Sequence, residues 1–244
     1  MLSIVTPVLN GIKFIQNNIE SIQELSIEHE HIIVDGGSTD GTIEFVEKYP
    51  HIILLHQKDK TGMYGAIHQG FLKSKGKYIT WLNADDYLIA NGYESMYNYI
   101  LNKNLDFVYS NGIYHFKEEY KYKKMYGRHL GRNLLKNAIV PFIQPCSIYT
   151  RATYDKVGGV DYERFKIIGD RDLFQRFAYD SDLKFGYISV FSVVFLIHSN
   201  SLLSVSQEQK IKEYSYCINS KVSFFYRILF KLSGFIRKLE SLFL

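Results

Sequence analysis

Two adjacent carboxylates and an amide, Asn83-Ala84-Asp85-Asp86, follow directly on the apolar run Tyr78-Ile-Thr-Trp-Leu82. Oxygen donors at this density suit a hard divalent cation. Mg²⁺ and Mn²⁺ take one or two protein carboxylates and leave their other positions to water or substrate phosphates. The same residues have a plainer use as a helix cap, where an Asp or Asn oxygen accepts from the orphan N–H groups of the next segment. The four residues alone fit both uses, so the choice falls to what the rest of the chain brings beside them.

Three short runs precede that stretch. Leu2-Ser-Ile-Val-Thr6 is β-rich and is expected to stop at Pro7, whose ring removes a ladder donor. His31-Ile-Ile-Val-Asp35 is a second strand broken by Gly36-Gly37, and Ile52 to Leu55 a third. Between them, Phe14, Ile15, Ile19 and Ile22 recur at helical spacing, Ser38-Thr39-Asp40 offers a cap for a helix carrying Ile43 and Val46, and a helix follows Gly62. Strand–helix alternation of this kind implies right-handed βαβ units and a mainly parallel sheet. Ligands of such sheets bind beyond the carboxyl ends of the strands. Thr6-Pro7, Asp35 and Asn83-Asp85-Asp86 all stand at strand C-termini and so share one edge, which favours a ligand and metal site over capping.

Further along, Asp106 to Ser110 and Ile113 to Phe116 read as strands joined through Asn111-Gly112, a hairpin signal. Lys117 to Arg132 is basic and Tyr-rich and reads as an exposed loop or edge. Arg151 to Val157 is a helix ending at Gly158-Gly159, Gly169-Asp170-Arg171-Asp172 opens another, and Leu183 to Ile197 holds two more strands.

The 244 residues and their 46% hydrophobic content suffice for one large domain, or one domain with a short appendage. Cys146 and Cys217 are far apart and match no metal or redox spacing, so both read as idle thiols of a reducing compartment. Met1-Leu2-Ser3 leads straight into a strand with no basic region before it, and no run has the ~18–20 apolar residues of a membrane span. A cytoplasmic protein is expected. No G-x-G-x-x-G follows the first strand and no G-x-x-x-x-G-K-[ST] occurs, which removes support for a dinucleotide-binding dehydrogenase or a P-loop enzyme. A Ser or Cys nucleophile elbow is missing as well.

The chain resembles the family-2 glycosyltransferases of GT-A fold in their small single-domain form. The resemblance is carried by Ser3-Ile-Val-Thr-Pro-Val-Leu-Asn10, Ile33-Val-Asp-Gly-Gly-Ser-Thr-Asp-Gly-Thr42, Thr61-Gly-Met-Tyr64, Gly76 to Asp86 and Gly169-Asp-Arg-Asp-Leu-Phe-Gln-Arg176, in the family's order and spacing. It implies an α/β, Rossmann-like GT-A sheet flanked by helices over residues 1–204. It further implies a nucleotide-diphospho-sugar donor, a glycan or lipid-linked acceptor, no nucleic acid, and inversion at the anomeric carbon. The nucleotide pocket would draw on Thr6, Pro7, Asp35, Gly62, Asn83 and Asp85, and a Mn²⁺ or Mg²⁺ ion on Asp85, Asp86 and His198. Asp170 would be the general base that takes the acceptor's proton. Its plain alternative is N-capping of its own helix, and that of His198 is an ordinary buried or surface histidine. Asp172 and Arg176 read as an i,i+4 helix pair.

Departures from the pattern are Gly36 and Gly65, where members carry Asp, Asn83 for a frequent Asp, and Lys60 for a frequent acid. They keep open a catalytically weak or silent nucleotide- or glycan-binding member. A sugar nucleotidyltransferase is a third possibility, against which stands the lack of a Gly-rich, Arg/Lys-bearing loop after the first strand.

Residues 205–244 carry seven Lys/Arg against three Glu. Within them Val222, Phe225, Leu229, Leu232, Ile236, Leu239 and Phe243 step by three and four, the stripe of an amphipathic helix, with Arg227, Lys231 and Lys238 opposite. Packing on the domain, a coiled-coil seam and an interfacial helix on anionic lipid all fit this pattern. The last would place residues 220–244 in peripheral contact with the cytoplasmic face of an inner membrane.

Overall fold

The computed structural model describes residues 1–59, 61–127, 129, 131–199 and 207–221, with backbone alone at 207 and 218–221. Strands β1 (Leu2–Val8), β2 (His29–Asp35), β3 (Ile53–His56) and β4 (Tyr78–Trp81) alternate with helices α1 (Ile15–Gln23), α2 (Thr42–Val46) and α3 (Met63–Lys73). After β5 (Tyr87–Leu88) come α4 (Ala90–Asn102), β6 (Phe107–Phe116), β7 (Lys121–Met125), α5 (Gly131–Lys136), β8 (Ser147–Thr150) and α6 (Arg151–Lys156). The chain continues through α7 (Gly169–Tyr179), β9 (Phe185–Ile197) and α8 (Gln207–Lys221). Among the described residues the sheet runs β3-β2-β1-β4-β8-β6-β9-β5, with β7 added to β6. The first four strands are mutually parallel and β6 is parallel to β9, while β8 runs against both its neighbours, β4 and β6. The α/β sheet flanked by helices is the architecture expected.

Burial follows the chemistry of the strands. β1 and β4 are buried at every position, as strands covered on both faces must be. Trp81, Phe107, Tyr149, Phe174 and Phe177 are fully buried together at the centre of the main core. Among the described residues, Tyr120, Tyr122, Tyr126 and Tyr216 are the tyrosines left exposed.

Three local expectations are corrected. β1 does not stop at Pro7 but runs to Val8, with Pro7 opposite Val34 of β2. Alternate residues of β1 face β4, as Val5 does in accepting from Leu82 N at 3.0 Å. Pro7 therefore turns its missing N–H toward a side where β4 has already ended, and no bond is lost. Asn111-Gly112 is not a turn, because β6 passes straight through it with a register shift against β9. Gly112 is needed for space, since a Cβ there would lie 2.7 Å from both Cys146 Sγ and Ile143 Cδ1. Asn111 is buried, its Oδ1 accepting from Gly127 N at 2.9 Å and from the Tyr187 hydroxyl at 2.8 Å. The two strands expected within Leu183 to Ile197 are a single 13-residue strand, β9.

Both cysteines are free and buried. Of the expected tail, the first part is α8, which packs on the domain through Tyr214 and Cys217 against Ala138, Phe165, Ile167 and Ile168. The stripe from Val222 to Phe243 lies outside the described residues.

Candidate active site

The sheet register lines up the expected edge: Val8 of β1 stands opposite Asp35 of β2, and Asp35 opposite His56 of β3. Asp35 is 1% exposed. Its Oδ2 accepts from Gly37 N at 2.8 Å and Ser38 N at 3.1 Å, which folds the chain sharply at the strand's end. Gly37 has φ +98°, a left-handed conformation that suits glycine. Ser38, Thr39 and Asp40 lace this turn to the loop after β1. Asn10 N donates to Ser38 Oγ, Thr39 N to Asn10 Oδ1, and Ile12 N to Asp40 Oδ2. The side-chain cap expected from these residues is not formed at the N-cap of α2, which is Gly41. Asp40 Oδ1 accepts from Thr42 N at 3.1 Å instead, and the three residues join two strand-end loops into one rim.

β4 delivers the acidic turn to the same rim, and its two carboxylates part company there. Asp85 Oδ2 lies 3.1 Å from His198 Nε2, just beyond the end of β9. The His198 ring stacks on Phe14 at 4.6 Å, and the Lys117 ammonium sits 4.5 Å from the other ring's centroid. Asp86 turns inward and is 1% exposed. Its Oδ1 accepts from Leu196 N at 3.0 Å and its Oδ2 faces Asn83 Nδ2 at 3.4 Å. Burial, and then the charge of Asp85, push the Asp86 carboxyl well above the usual range. Asp86 is thus placed to clamp β9 to the turn, and Asp85 and His198 are the pair left facing each other.

The turn is seated by a residue that no motif flagged. Asn18 lies within the apolar stripe of α1, fully buried, and its Nδ2 donates to the carbonyls of Asn83 at 2.9 Å and Asp86 at 3.1 Å. Thr6, also fully buried, stands behind it, with its hydroxyl 3.3 Å from Asn18 Oδ1 and 2.9 Å from His31 Nε2. Burial lowers the His31 pKa to about 3, so the imidazole is neutral and serves as a fixed hydrogen-bond partner. The Thr6 side chain points to this interior network, and its part is to hold the turn. The detectable signal was a polar residue at a position where helical periodicity calls for an apolar one. Asn18→Ala leaves two carbonyls without their donor and is expected to destabilise the fold by about 2–3 kcal/mol. Denaturant unfolding checks this, and a loss under about 0.5 kcal/mol would mean the network is idle.

Asp170 does not cap its own helix: α7 begins after Ile168 with no side-chain cap. Its Oδ1 instead meets the Tyr64 hydroxyl at 3.2 Å, and that hydroxyl also bonds Ile167 O at 3.0 Å. Burial raises the Asp170 pKa above the usual carboxylate range, the Arg171 charge opposing it. Tyr64 stands on α3 and packs edge-on to Trp81, the last residue of β4, at 6.4 Å. The carboxyl of α7 is thereby tied to the strand that carries Asp85. Gly62 opens α3 with φ +80° and ψ −170°, a conformation essentially reserved for glycine. Asp172 and Arg176 pair at 2.8 Å as their spacing implied.

One of the missing acids, that at Gly65, has a steric counterpart. A Cβ at Gly65 would lie 1.7 Å from Thr61 Oγ1 and 2.4 Å from Thr61 Cβ. Thr61 is held by Gln57, whose Nε2 donates to Thr61 Oγ1 at 2.8 Å and to Gly62 O at 2.9 Å. An amide–hydroxyl bridge thus fills the space that a side chain at position 65 would need.

Among the described residues no group of three or more His, Cys, Asp or Glu side chains could hold a metal ion. Asp85 and His198 nevertheless suit a divalent cation in their donor chemistry, one carboxylate and one imidazole at contact distance. Asn83 Oδ1, two residues before Asp85 in the same turn, is buried and has no hydrogen-bond partner among the described residues. A site of this kind is completed by phosphate oxygens or water.

The sequence model of the family described as Glycosyl transferase family 2 matches residues 3–158. The glycosyltransferase GlyG of Streptococcus pneumoniae is 32% identical over 116 residues, which are 46% of this chain and 38% of the relative. Among solved structures, S. aureus TarS 1-349 in complex with UDP-GlcNAc superposes with a TM-score of 0.72 at 14% identity, over 88% of this chain and 65% of that one. The mannosyltransferase PcManGT from Pyrobaculum calidifontis, in complex with GDP-Man and Mn²⁺, gives a TM-score of 0.64 at 15% identity, over 91% and 65%. The two structural likenesses are likenesses of fold, and the chain spans less than two thirds of the length of GlyG and of each solved chain.

Proposed function

Because the chain belongs to glycosyl transferase family 2, we propose that it moves a sugar from a nucleotide-diphospho-sugar to a hydroxyl of a glycan or lipid-linked acceptor. The product class is a bacterial surface polysaccharide or lipopolysaccharide, and the anomeric carbon is inverted. The observation that carries this reading is the Asp85–His198 pair at 3.1 Å on the carboxyl edge of the sheet, where ligands of parallel sheets bind. The solved TarS structure holds UDP-GlcNAc and that of PcManGT holds GDP-Man with Mn²⁺, which supports a nucleotide-sugar donor.

In this scheme Asp35 accepts from the N–H groups of the base, and the rim formed by Asn10, Ser38 and Asp40 keeps it in place. Asp85 and His198 would hold Mn²⁺ or Mg²⁺. The bound cation supplies Lewis-acid stabilisation of charge developing on the leaving diphosphate. Asp170 takes the proton of the acceptor hydroxyl as that oxygen bonds to the anomeric carbon. The bond from that carbon to the diphosphate oxygen breaks, and its electron pair leaves with the nucleoside diphosphate. Tyr64 holds the Asp170 carboxyl against α3 throughout. Isothermal calorimetry with a panel of nucleoside diphosphates in Mn²⁺ tests the donor site. Selective micromolar binding of one base is expected, and no binding of any would remove the reading.

Membrane contact is the remaining part of the proposal. No described helix is long and apolar enough to cross a membrane, and the lipid-facing stripe would be Val222 to Phe243. Apolar burial at about 25 cal/mol per Å² and roughly 1 kcal/mol for each of Arg227, Lys231 and Lys238 should favour anionic over neutral vesicles, less so as salt rises. Since α8 packs on the domain, the informative deletion is 222–244. It should abolish vesicle sedimentation and leave the melting temperature in place. Retained sedimentation, or a collapsed melting point, would favour packing instead.

A further inference from the structure

The start of α7 is held from outside by α8. Glu213 is 0% exposed, and its carboxylate gathers three consecutive backbone N–H groups. Lys166 N donates to Oε1 at 2.9 Å, and Ile167 N and Ile168 N each donate to Oε2 at 3.0 Å. Gln209, one turn earlier on α8, adds a bond to Oε1 at 2.8 Å. Successive amides converging on one point form an anion-binding concavity, here at the positive end of a helix dipole. In this chain the anion is built in.

Residues 166–168 lie immediately before Gly169-Asp170. On the other side of Asp170, the Arg171 guanidinium sits 4.3 Å from the centroid of the Tyr214 ring, next to Glu213 on α8. Cys217, one turn further, packs on Phe165 and Ile168. A single helix thus grips the backbone before Asp170 and the side chain after it. Lys166 extends the grip to α3 by donating from Nζ to Thr61 O at 3.3 Å, one residue before the glycine that opens the helix of Tyr64. A fully buried carboxylate is a poor choice for stability alone, because an apolar side chain of similar volume serves as well or better. It is a good choice where a backbone must be held in one conformation.

We propose that Glu213 is a positioning residue for sugar transfer: by fixing the amides of residues 166–168 it aims the Asp170 carboxyl at the acceptor hydroxyl, which makes α8 part of the active site. This rests on the assignment of Asp170 as the base, and the two claims can be separated. Glu213→Ala, the milder Glu213→Gln, Asp170→Asn and the Glu213→Ala/Asp170→Asn double variant are compared as full chains. The readouts are kcat and KM for Mn²⁺-dependent hydrolysis of UDP-GlcNAc and GDP-Man, UDP affinity by calorimetry, and amide hydrogen exchange.

Glu213→Ala should lower kcat by about 10- to 100-fold, the usual effect of a small misplacement of a reacting group. Donor KM and UDP affinity should hold, and exchange should quicken at 166–168 but not in β1–β4. Glu213→Gln, retaining one acceptor oxygen, should fall between. In the Asp170→Asn background the alanine change should cost nothing further, the non-additivity that marks two residues acting as one. An equal loss in both backgrounds, a loss of UDP affinity, unchanged exchange at 166–168, or failure of both Glu213 variants to fold would overturn the positioning role. A wild-type rate in Asp170→Asn alone would instead overturn the base assignment on which it depends.

Discussion

Asp170→Asn should lower turnover by roughly 10²- to 10⁴-fold while nucleotide affinity stays within about twofold of the parent. The amide has the size of the carboxyl and still offers Oδ1 to the Tyr64 hydroxyl, now at 3.2 Å, so local structure is preserved. What the amide lacks is a basic oxygen for the acceptor's proton at neutral pH. Burial already raises the Asp170 pKa, which makes the carboxylate a stronger base than an exposed one. The sign for pH follows. The carboxylate form is the active one, so kcat should rise with pH through a pKa above the ~3.9 of an ordinary Asp, and the Asn variant should lose that limb. Near-parental turnover in Asp170→Asn would leave the residue no part in proton transfer.

Asp85→Ala should have the second largest effect, removing the metal dependence of nucleoside-diphosphate binding. In the parent, UDP or GDP should bind much more tightly with Mn²⁺ than with EDTA, because the diphosphate and the Asp85–His198 pair share the cation. In Asp85→Ala the two affinities should converge on the weaker value. His198→Ala should weaken the Mn²⁺ effect and leave part of it, since Asp85 remains. Asp86→Asn makes a useful contrast. Its carboxylate is occupied with Leu196 N and Asn83, so its loss should show in unfolding and leave the Mn²⁺ dependence in place. Nucleotide affinity in the parent that ignores EDTA would rule out a shared cation.

The parts of this molecule legible from sequence were those set by local chemistry. Strand-sized apolar runs ending at Asp35 and at Asn83 placed those residues on one edge because right-handed βαβ connection leaves little choice of topology. Gly62 was legible because only glycine opens α3 with that backbone. The rest depends on partners distant in the chain. Asn111-Gly112 has the composition of a turn, yet Cys146 and Ile143, brought close by folding, require the missing side chain at Gly112. Asp85 and Asp86 are equivalent in sequence, and only the arrival of β9 through Leu196 and His198 sends one inward and leaves the other facing the edge. Asn18 and Glu213 were missed for one reason. Each is a buried polar side chain bonded to backbone groups 45 or more residues away, and no local pattern encodes that.

The most direct test of the account is to incubate the full chain with intact UDP-GlcNAc and GDP-Man in Mn²⁺ and follow the products by chromatography and NMR. Slow transfer to water should release UDP or GDP together with the free sugar, inverted at its anomeric carbon, and both EDTA and Asp170→Asn should suppress it. Nucleotide binding with no release of sugar from any donor of a broad panel would contradict the account in favour of a silent binding protein. Formation of a nucleoside triphosphate on adding pyrophosphate would contradict it in favour of nucleotidyl transfer.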